Sequence, residues 1–558
     1  MGFERIHLNA FGTPKSLANA IVKYLNGREY QNILEPCCGN GVFLDALADN
    51  GVLKKALSVT VVDIDSDACE NISERYSSYP KLSVLCKNFF SFYNEAHQVN
   101  KYDLIVGSLP AIRYINLTDN EKASLSRTLT THGLSENKLL NEWVGYLVNC
   151  VSLLSESGRL AFVLPGELLC ESFTEQIRGY LARHLEYVTI ISFQKKVASS
   201  LDHGAVVFVS ENRLPQQSME SIVEDKCVDS HLGSVRAIEF SDIKEFKQFD
   251  FSGLGFRRFQ FSQEKWAKYF VSKSDNDIID DLRNSTRFVT FGKHMDVRAG
   301  IATGCNDFFS VTAEWRGKYD LSDVTFPLLG HIDAAPGILY TAEDWNNSVQ
   351  SGDKSFLLCF PDNPDGKRTE GQETYIEFGV LSGKSRNLKC GIRDTWYVVS
   401  SFKAPGAFLT RRTGDYPRMI LNECGAVCTD ELLQIGFHDD TDPKDILLLF
   451  YSTLTFVSIE MLDCMYSGSA LLPGEAGQAM IPMMPACGMD VEVRNRLCNQ
   501  VDAMMRGGEK IDSVLDLVDK EVLIKIIGID EKVCLRCRDI WKALRARRLN
   551  RKAKRYLR

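Results

Sequence analysis

Up to about residue 210, short apolar runs alternate with longer stretches whose apolar residues recur at i, i+3, i+4 and i+7. The runs "QNILEP", "LSVTVVDID", "KLSVLC", "YDLIVGS", "GRLAFVLP" and "LEYVTIISF" predict strands that end in turn or polar residues. Between them, "PKSLANAIVKYL" and "NEWVGYLVNCVSLL" have the period of amphipathic or buried helices. Such alternation predicts βαβ units and a mostly parallel sheet. "ASSLDHGAVVFVSENR" adds one more strand. A polar stretch over residues 211–234, "ENRLPQQSMESIVEDKCVDSHLGS" and its neighbours, reads as a linker. Residues 235–485 are less regular and rich in Gly, Pro and aromatics, which predicts a second, mixed and strand-rich domain. Residues 486–558 have a helical pattern and end in "RARRLNRKAKRYLR".

Composition narrows the class without choosing within it. The chain has 558 residues, 44% hydrophobic and 25% charged, as in ordinary soluble globular proteins of several domains. A net charge of −8 gives no global attraction to nucleic acid, so such binding needs local basic patches. No apolar run reaches the length of about 20 residues that spans a bilayer. The N-terminus lacks a secretion pattern, and 17 scattered cysteines read as reduced thiols in a cytoplasmic protein. The CxxC of Cys534 and Cys537 has no second pair to complete a zinc site.

The strongest chemical signal is "ILEPCCGNGVFLDAL". A strand ends at the acid Glu35, a turn carries Gly39 and Gly41, and a helix follows. Glycines at that place let a ligand approach the backbone, and the helix start adds free N–H groups. The spacing is not that of a G-x-G-x-x-G dinucleotide turn. Downstream, "VVDID" places Asp63 at the end of the next strand, suited to two ribose hydroxyls, with Ile64 beside it to pack on a base. Together they predict a cofactor with a nucleoside half.

"EPCCGNGVFL" resembles the Asp/Glu-Pro-x-x-Gly-x-Gly-x-Phe-Leu signature of S-adenosylmethionine-dependent amino-methyltransferases, and the chain resembles the adenine-N6 DNA methyltransferases of type II restriction–modification systems. Phe11, Thr13 and Pro14 match the family's Thr-Pro segment, which holds the methionine half of the cofactor. Asn88-Phe89 stands where the family has the Asp-Phe pair that reads the cofactor adenine. "VRAGIATGCNDFFSVT" and later blocks up to residue 485 are similar to the family's recognition domain. The resemblance implies a doubly wound, Rossmann-like methyltransferase sheet, then a mixed α+β target-recognition domain and a helical basic C-terminus. It implies S-adenosylmethionine held by Phe11, Thr13, Pro14, Glu35, Cys37, Gly39, Gly41, Asp63, Ile64, Asn88 and Phe89. Duplex DNA is the implied substrate, with no metal, because the sulfonium is already an activated leaving group.

The family's catalytic loop reads Asn/Asp/Ser-Pro-Pro-Tyr/Phe, where two oxygens accept from the target amine and the aromatic stacks on the extruded base. Here it is Ser108-Leu109-Pro110-Ala111. Ser108 keeps an acceptor and Leu109 a carbonyl without proline's fixed φ. Ala111 removes a stacking platform worth about 1–3 kcal/mol per base, or roughly a five- to hundred-and-sixty-fold loss of rate. Tyr114 is a candidate replacement ring. Three readings follow: a working enzyme with an unusual loop, a catalytically impaired relative that binds cofactor and DNA as a recognition or sensing subunit, and a methylase of another amino group, which the large second domain opposes. Arg411, Arg412 and Arg418 in "FLTRRTGDYPR" are candidate DNA contacts, and the run from Arg545 to Arg558 suits phosphates. No nuclease constellation is visible, so any cleavage in such a phage-defence system would belong to a separate endonuclease chain.

Overall fold

A computed structural model of the chain describes residues 12–137, 140–170, 172–194, 205–214, 232–260, 265–285, 288–361, 368–399, 403–462, 470–471, 482–483 and 489–549. They form two compact units, and the main division in the sequence falls between Lys273 and Ser274.

The first unit holds a sheet of nine strands: β1 (Asn32–Glu35), β2 (Ser58–Asp63), β3 (Leu82–Cys86), β4 (Tyr102–Ser108), β5 (Leu154–Pro165), β6 (Leu185–Phe193), β7 (Ala205–Arg213), β8 (Ser234–Phe240) and β9 (Arg257–Arg258). Their spatial order is β3-β2-β1-β4-β5-β7-β6-β8-β9. β1 to β5 pair in parallel, and β7 lies antiparallel between β5 and β6. The strands read as unbroken apolar runs because both faces are covered. Ile33, Leu104, Val106 and Ala161 enter one core, while their neighbours Leu34, Ile105, Leu160 and Phe162 enter the other. Helices α1 (Lys15–Leu25), α2 (Val42–Asp49), α3 (Val52–Lys55) and α4 (Ser66–Arg75) pack on the first face. Helices α5 (Phe89–Ala96), α6 (Asp119–Thr131) and α7 (Trp143–Leu153) pack on the second. Adjacent β1 and β4 lead to opposite halves of the sheet, so a crevice opens beyond their carboxyl ends.

This unit runs further than the expected end at residue 210. β8 pairs with β6 from Tyr187↔Ser234 to Phe193↔Phe240, and β9 pairs with β8. Phe240 and Phe246 fill one core; Trp266, Tyr269 and Phe270 fill the other. The polar stretch from 211, of which 215–231 lie outside the described residues, therefore separates two strands of one sheet rather than two domains.

The second unit contains a five-stranded sheet in the order Met295–Ala299, Leu432–Phe437, Ala407–Thr410, Met419–Asn422, Leu339–Tyr340. A four-stranded sheet orders Ser310–Val311, Phe356–Leu358, Thr325–Leu329, Val427–Cys428. The C-terminal helices belong to this unit and are not a separate region. In helix Val491–Arg506, Asp502 accepts from the Ile338 and Leu339 amides at 2.7 and 3.0 Å, and Arg506 grips Asp344 at 2.6 and 2.9 Å. In helix Glu531–Arg548, buried Arg538 donates to Asp519 at 2.7 Å and Asp516 at 2.9 Å. No helix among the described residues is long and apolar enough to cross a membrane.

Candidate active site

β1 ends in Glu35 and the chain turns through Cys37 to Gly41, where Gly39 and Gly41 take φ of +47° and +76°. Only glycine adopts such values without a Cβ penalty. The turn is held from two sides. Asp63, ending β2, accepts from the Gly39 amide at 2.7 Å through Oδ2 and from the Asp65 amide at 3.0 Å through Oδ1. Arg75 donates to the Asn40 carbonyl at 2.9 Å and pairs with Asp45. A Cβ built on Gly39 would meet nothing within 4 Å, so the space beside the turn is open. Each Asp63 oxygen retains a lone pair for a further donor. Ile64 is 54% exposed beside it.

Glu35 is buried, 2% exposed, and its Oε2 has no hydrogen-bond partner. Burial, followed by the charges of Asp63 and Asp45, pushes its carboxyl well above the usual range, while the Leu44 amide pulls the other way. Burial also raises the Cys37 thiol, helped by Asp63, Glu142 and Glu35. An unpartnered acid with further acids at hand suits a cationic group, and Asp63 suits vicinal hydroxyls.

Asn88 caps α5, its Oδ1 accepting from the Phe90 amide at 2.9 Å. Phe89 is 1% exposed and stacks on Tyr146 with ring centroids 4.6 Å apart. It therefore lines the core behind the site instead of offering an open ring. Two members of α7 and its entry, Glu142 and Tyr146, went unnoticed in the sequence because they sit in a helix that is buried all round. A buried acid starting an apolar helix was the available signal.

Beyond β4, Ser108 is 5% and Leu109 0% exposed, and Pro110 is buried. Leu109 enters the same core cluster as Leu34 and Ile105, so its side chain anchors the loop where a proline ring would have restricted it. Thr13 and Ser108 hydrogen-bond through their hydroxyls. Pro14 begins α1, its carbonyl accepting from the Leu17 amide at 2.8 Å. Phe11 lies outside the described residues. Ala111 packs half-buried on the core, and Tyr114 lies against the same cluster beneath Lys122, whose Nζ is 5.6 Å from the ring centroid.

The basic candidates separate. Arg418 turns inward and donates to the carbonyls of Ile332 at 3.2 Å, Ala335 at 2.5 Å and Gly337 at 3.0 Å, which engages its guanidinium as a clamp within the second unit. Arg411 is exposed and donates to the Asp430 carbonyl. Arg412 lies in strand Arg412–Thr413, and its side chain is outside the described residues. Arg545 pairs with Asp415, and residues 550–558 lie outside the described residues. Cys534 and Cys537 are buried in the last helix, which raises both thiols to about 12.

Comparison with known proteins adds what geometry leaves open. Residues 8–248 match the N-6 DNA Methylase family, and residues 263–523 match the C-terminal domain of type II methyltransferase M.Eco57I. The chain belongs to the adenine-N6 DNA methyltransferases of type II restriction–modification systems. Its relatives in this family include type II methyltransferase M.AccI of Acinetobacter calcoaceticus, 22% identical over 424 residues, covering 74% of this chain and 73% of that one. Type II methyltransferase M.HindII of Haemophilus influenzae is 23% identical over 353 residues, covering 59% of this chain and 61% of that one. Among solved structures, the type IIG restriction endonuclease BpuSI aligns over 98% of this chain and 67% of its own with 12% identity and a TM-score of 0.41.

Proposed function

We propose that this chain transfers the methyl group of S-adenosylmethionine to the N6 atom of an adenine extruded from duplex DNA, within a restriction–modification system. The observation that carries the reading is Glu35, a buried carboxyl group whose Oε2 lacks a partner beside the glycine turn. A ligand bearing positive charge supplies that partner, and a nucleoside ribose fits Asp63.

S-adenosylmethionine, when bound, supplies a methyl group activated by its sulfonium. The chain's residues do the rest. Thr13 and Glu35 hold the methionine half, Asp63 the ribose, and Ile64 with Asn88 the base. Ser108 Oγ accepts from one N6–H and the Leu109 carbonyl from the other. That grip turns the nitrogen lone pair out of the ring plane and towards the methyl carbon. With that cofactor bound, the bond from N6 to the methyl carbon would form as the sulfonium–carbon bond breaks, and the surplus N6 proton would leave to solvent. Burial of Leu109 keeps its carbonyl in place, which favours turnover despite the missing first proline. The second unit selects the target sequence, and any cleavage belongs to a separate endonuclease.

The test is transfer of label from tritiated S-adenosylmethionine to mixed-sequence duplex DNA by the full chain. Label in DNA is expected; folded, cofactor-saturated protein that leaves the DNA unlabelled overturns the proposal.

A further inference from the structure

The chain leaving the catalytic loop makes a short turn that is anchored on both sides yet presents an aliphatic side chain to solvent. Upstream, the Ile112 carbonyl accepts from the Glu142 amide at 3.0 Å, and Ile112 packs on the core. The turn itself, Tyr114–Asn116, is closed by Asn116 N–H to Arg113 O at 2.8 Å and Leu117 N–H to Tyr114 O at 3.1 Å. Downstream, Leu117 is 4% exposed, and Thr118 forms a capping box with Glu121 at the start of α6. At the apex, Ile115 is 82% exposed. Exposure of a single isoleucine is ordinary by itself; what sets Ile115 apart is that the turn carrying it is fixed on both sides and follows directly on the Ser108–Ala111 loop, so its apolar surface is held at a constant place beside that loop.

Its position narrows what that surface is. Ile115 is seven chain steps beyond Ser108, so it lies within about 25 Å of the atom that grips the amine, and the anchored path between them shortens that reach. Any adenine brought to Ser108 leaves a gap in its base stack. The loop has no aromatic of its own, since position 111 is alanine. Exposed Arg113 and Asn116 flank the apex with donors for phosphates or base edges.

Resting on the proposed function, we infer that Ile115 is a positioning residue: its side chain enters the DNA stack beside the extruded adenine and holds the gap open. Apolar side chains are used as such wedges because stacking surface is apolar while the backbone outside is charged. Ile115 touches neither the amine nor the cofactor. It sets the fraction of time the adenine spends outside the helix.

The experiment uses the full chain with its target site, mapped from the positions the natural protein methylates in mixed-sequence DNA. Single-turnover transfer is measured for the natural protein, Ile115→Ala, Ile115→Ser and Ile115→Leu on a paired duplex and on one with an abasic site opposite the target adenine. Ile115→Ala and Ile115→Ser are expected to lose roughly ten- to a hundredfold on the paired duplex. They should come within about twofold of the natural protein on the duplex whose target is already unpaired, where extrusion costs least. Ile115→Leu should retain most of the paired-duplex rate. With 2-aminopurine replacing the target adenine, the fluorescence rise on binding should shrink for Ile115→Ala, while S-adenosylmethionine titrations stay unchanged. Equal rates for Ile115→Ala and the natural protein on the paired duplex overturn the inference, as does an equal loss on both duplexes. If the natural protein methylates neither duplex, the functional reading itself falls and takes this inference with it.

Discussion

The hydroxyls of Thr13 and Ser108 hydrogen-bond to each other across 95 residues of sequence, joining the segment before α1 to the end of β4. The direction of this bond matters. If Ser108 donates to Thr13, its own lone pairs face the target amine as acceptors; without Thr13 its proton is free to point at the amine and oppose it. Thr13→Val is therefore expected to lower kcat by roughly threefold to thirtyfold, the worth of one hydrogen bond. Ser108→Ala should cost at least as much, and the double variant little more. Additive losses in that double-mutant cycle would show that the pair does not act as one unit.

Leu109 and Ala111 answer different questions about the altered loop. Leu109→Ala removes a fully buried side chain and should cost about 2–5 kcal/mol of stability in the first unit. Leu109→Pro forfeits the same burial, so it should lower the melting temperature without a gain in rate. Ala111→Tyr supplies the absent stacking surface and should raise single-turnover rates roughly five- to a hundredfold. Calorimetry of unfolding beside transfer rates distinguishes them; a large rate gain from Leu109→Pro would contradict the anchoring role given to Leu109.

Glu35 links cofactor binding to pH. Its carboxyl is raised above the ordinary value by burial and neighbouring acids, so the folded, ligand-free protein holds a proton that the unfolded chain releases. The sign follows: the contribution of Glu35 to the stability of the ligand-free protein is fully present below about pH 4.5 and is lost as pH rises through the folded pKa. A cationic ligand favours the ionised form, so S-adenosylmethionine affinity should rise with pH over that same span. Calorimetry in two buffers of different ionisation heat should detect proton release on binding, and none for Glu35→Gln. Proton uptake by the natural protein would refute the charge pairing.

Arg418→Ala should destabilise the second unit by about 3 kcal/mol or more, because three carbonyls lose one donor. DNA affinity of the protein that remains folded should keep its salt dependence. A reduced slope of log affinity against log salt would return Arg418 to the DNA interface.

Much of the first unit was legible because its strands bury both faces. Such runs stand out, and Gly39, Gly41 and Asp63 fall where strands must turn. The end of the unit was not legible, since β8 reads as a short alternating edge strand behind a long polar excursion, and its pairing with β6 is a long-range fact. Residue type also hides direction. Arg418 looks like a surface cation until the turn it clamps is seen, and sequence does not tell that the Phe89 ring is stacked on Tyr146 in the core. Leu109 reads as a lost proline, whereas packing reveals an anchor.

The most direct measurement is the identity of the methylated atom. The full chain is incubated with mixed-sequence duplex DNA and S-adenosylmethionine carrying a deuterated methyl group, and the DNA is digested to nucleosides for mass spectrometry. The account predicts N6-deuteromethyl-2′-deoxyadenosine as the labelled nucleoside, with the signal much reduced for Ser108→Ala. Label on cytosine, or none on a protein that binds cofactor and DNA, would contradict it.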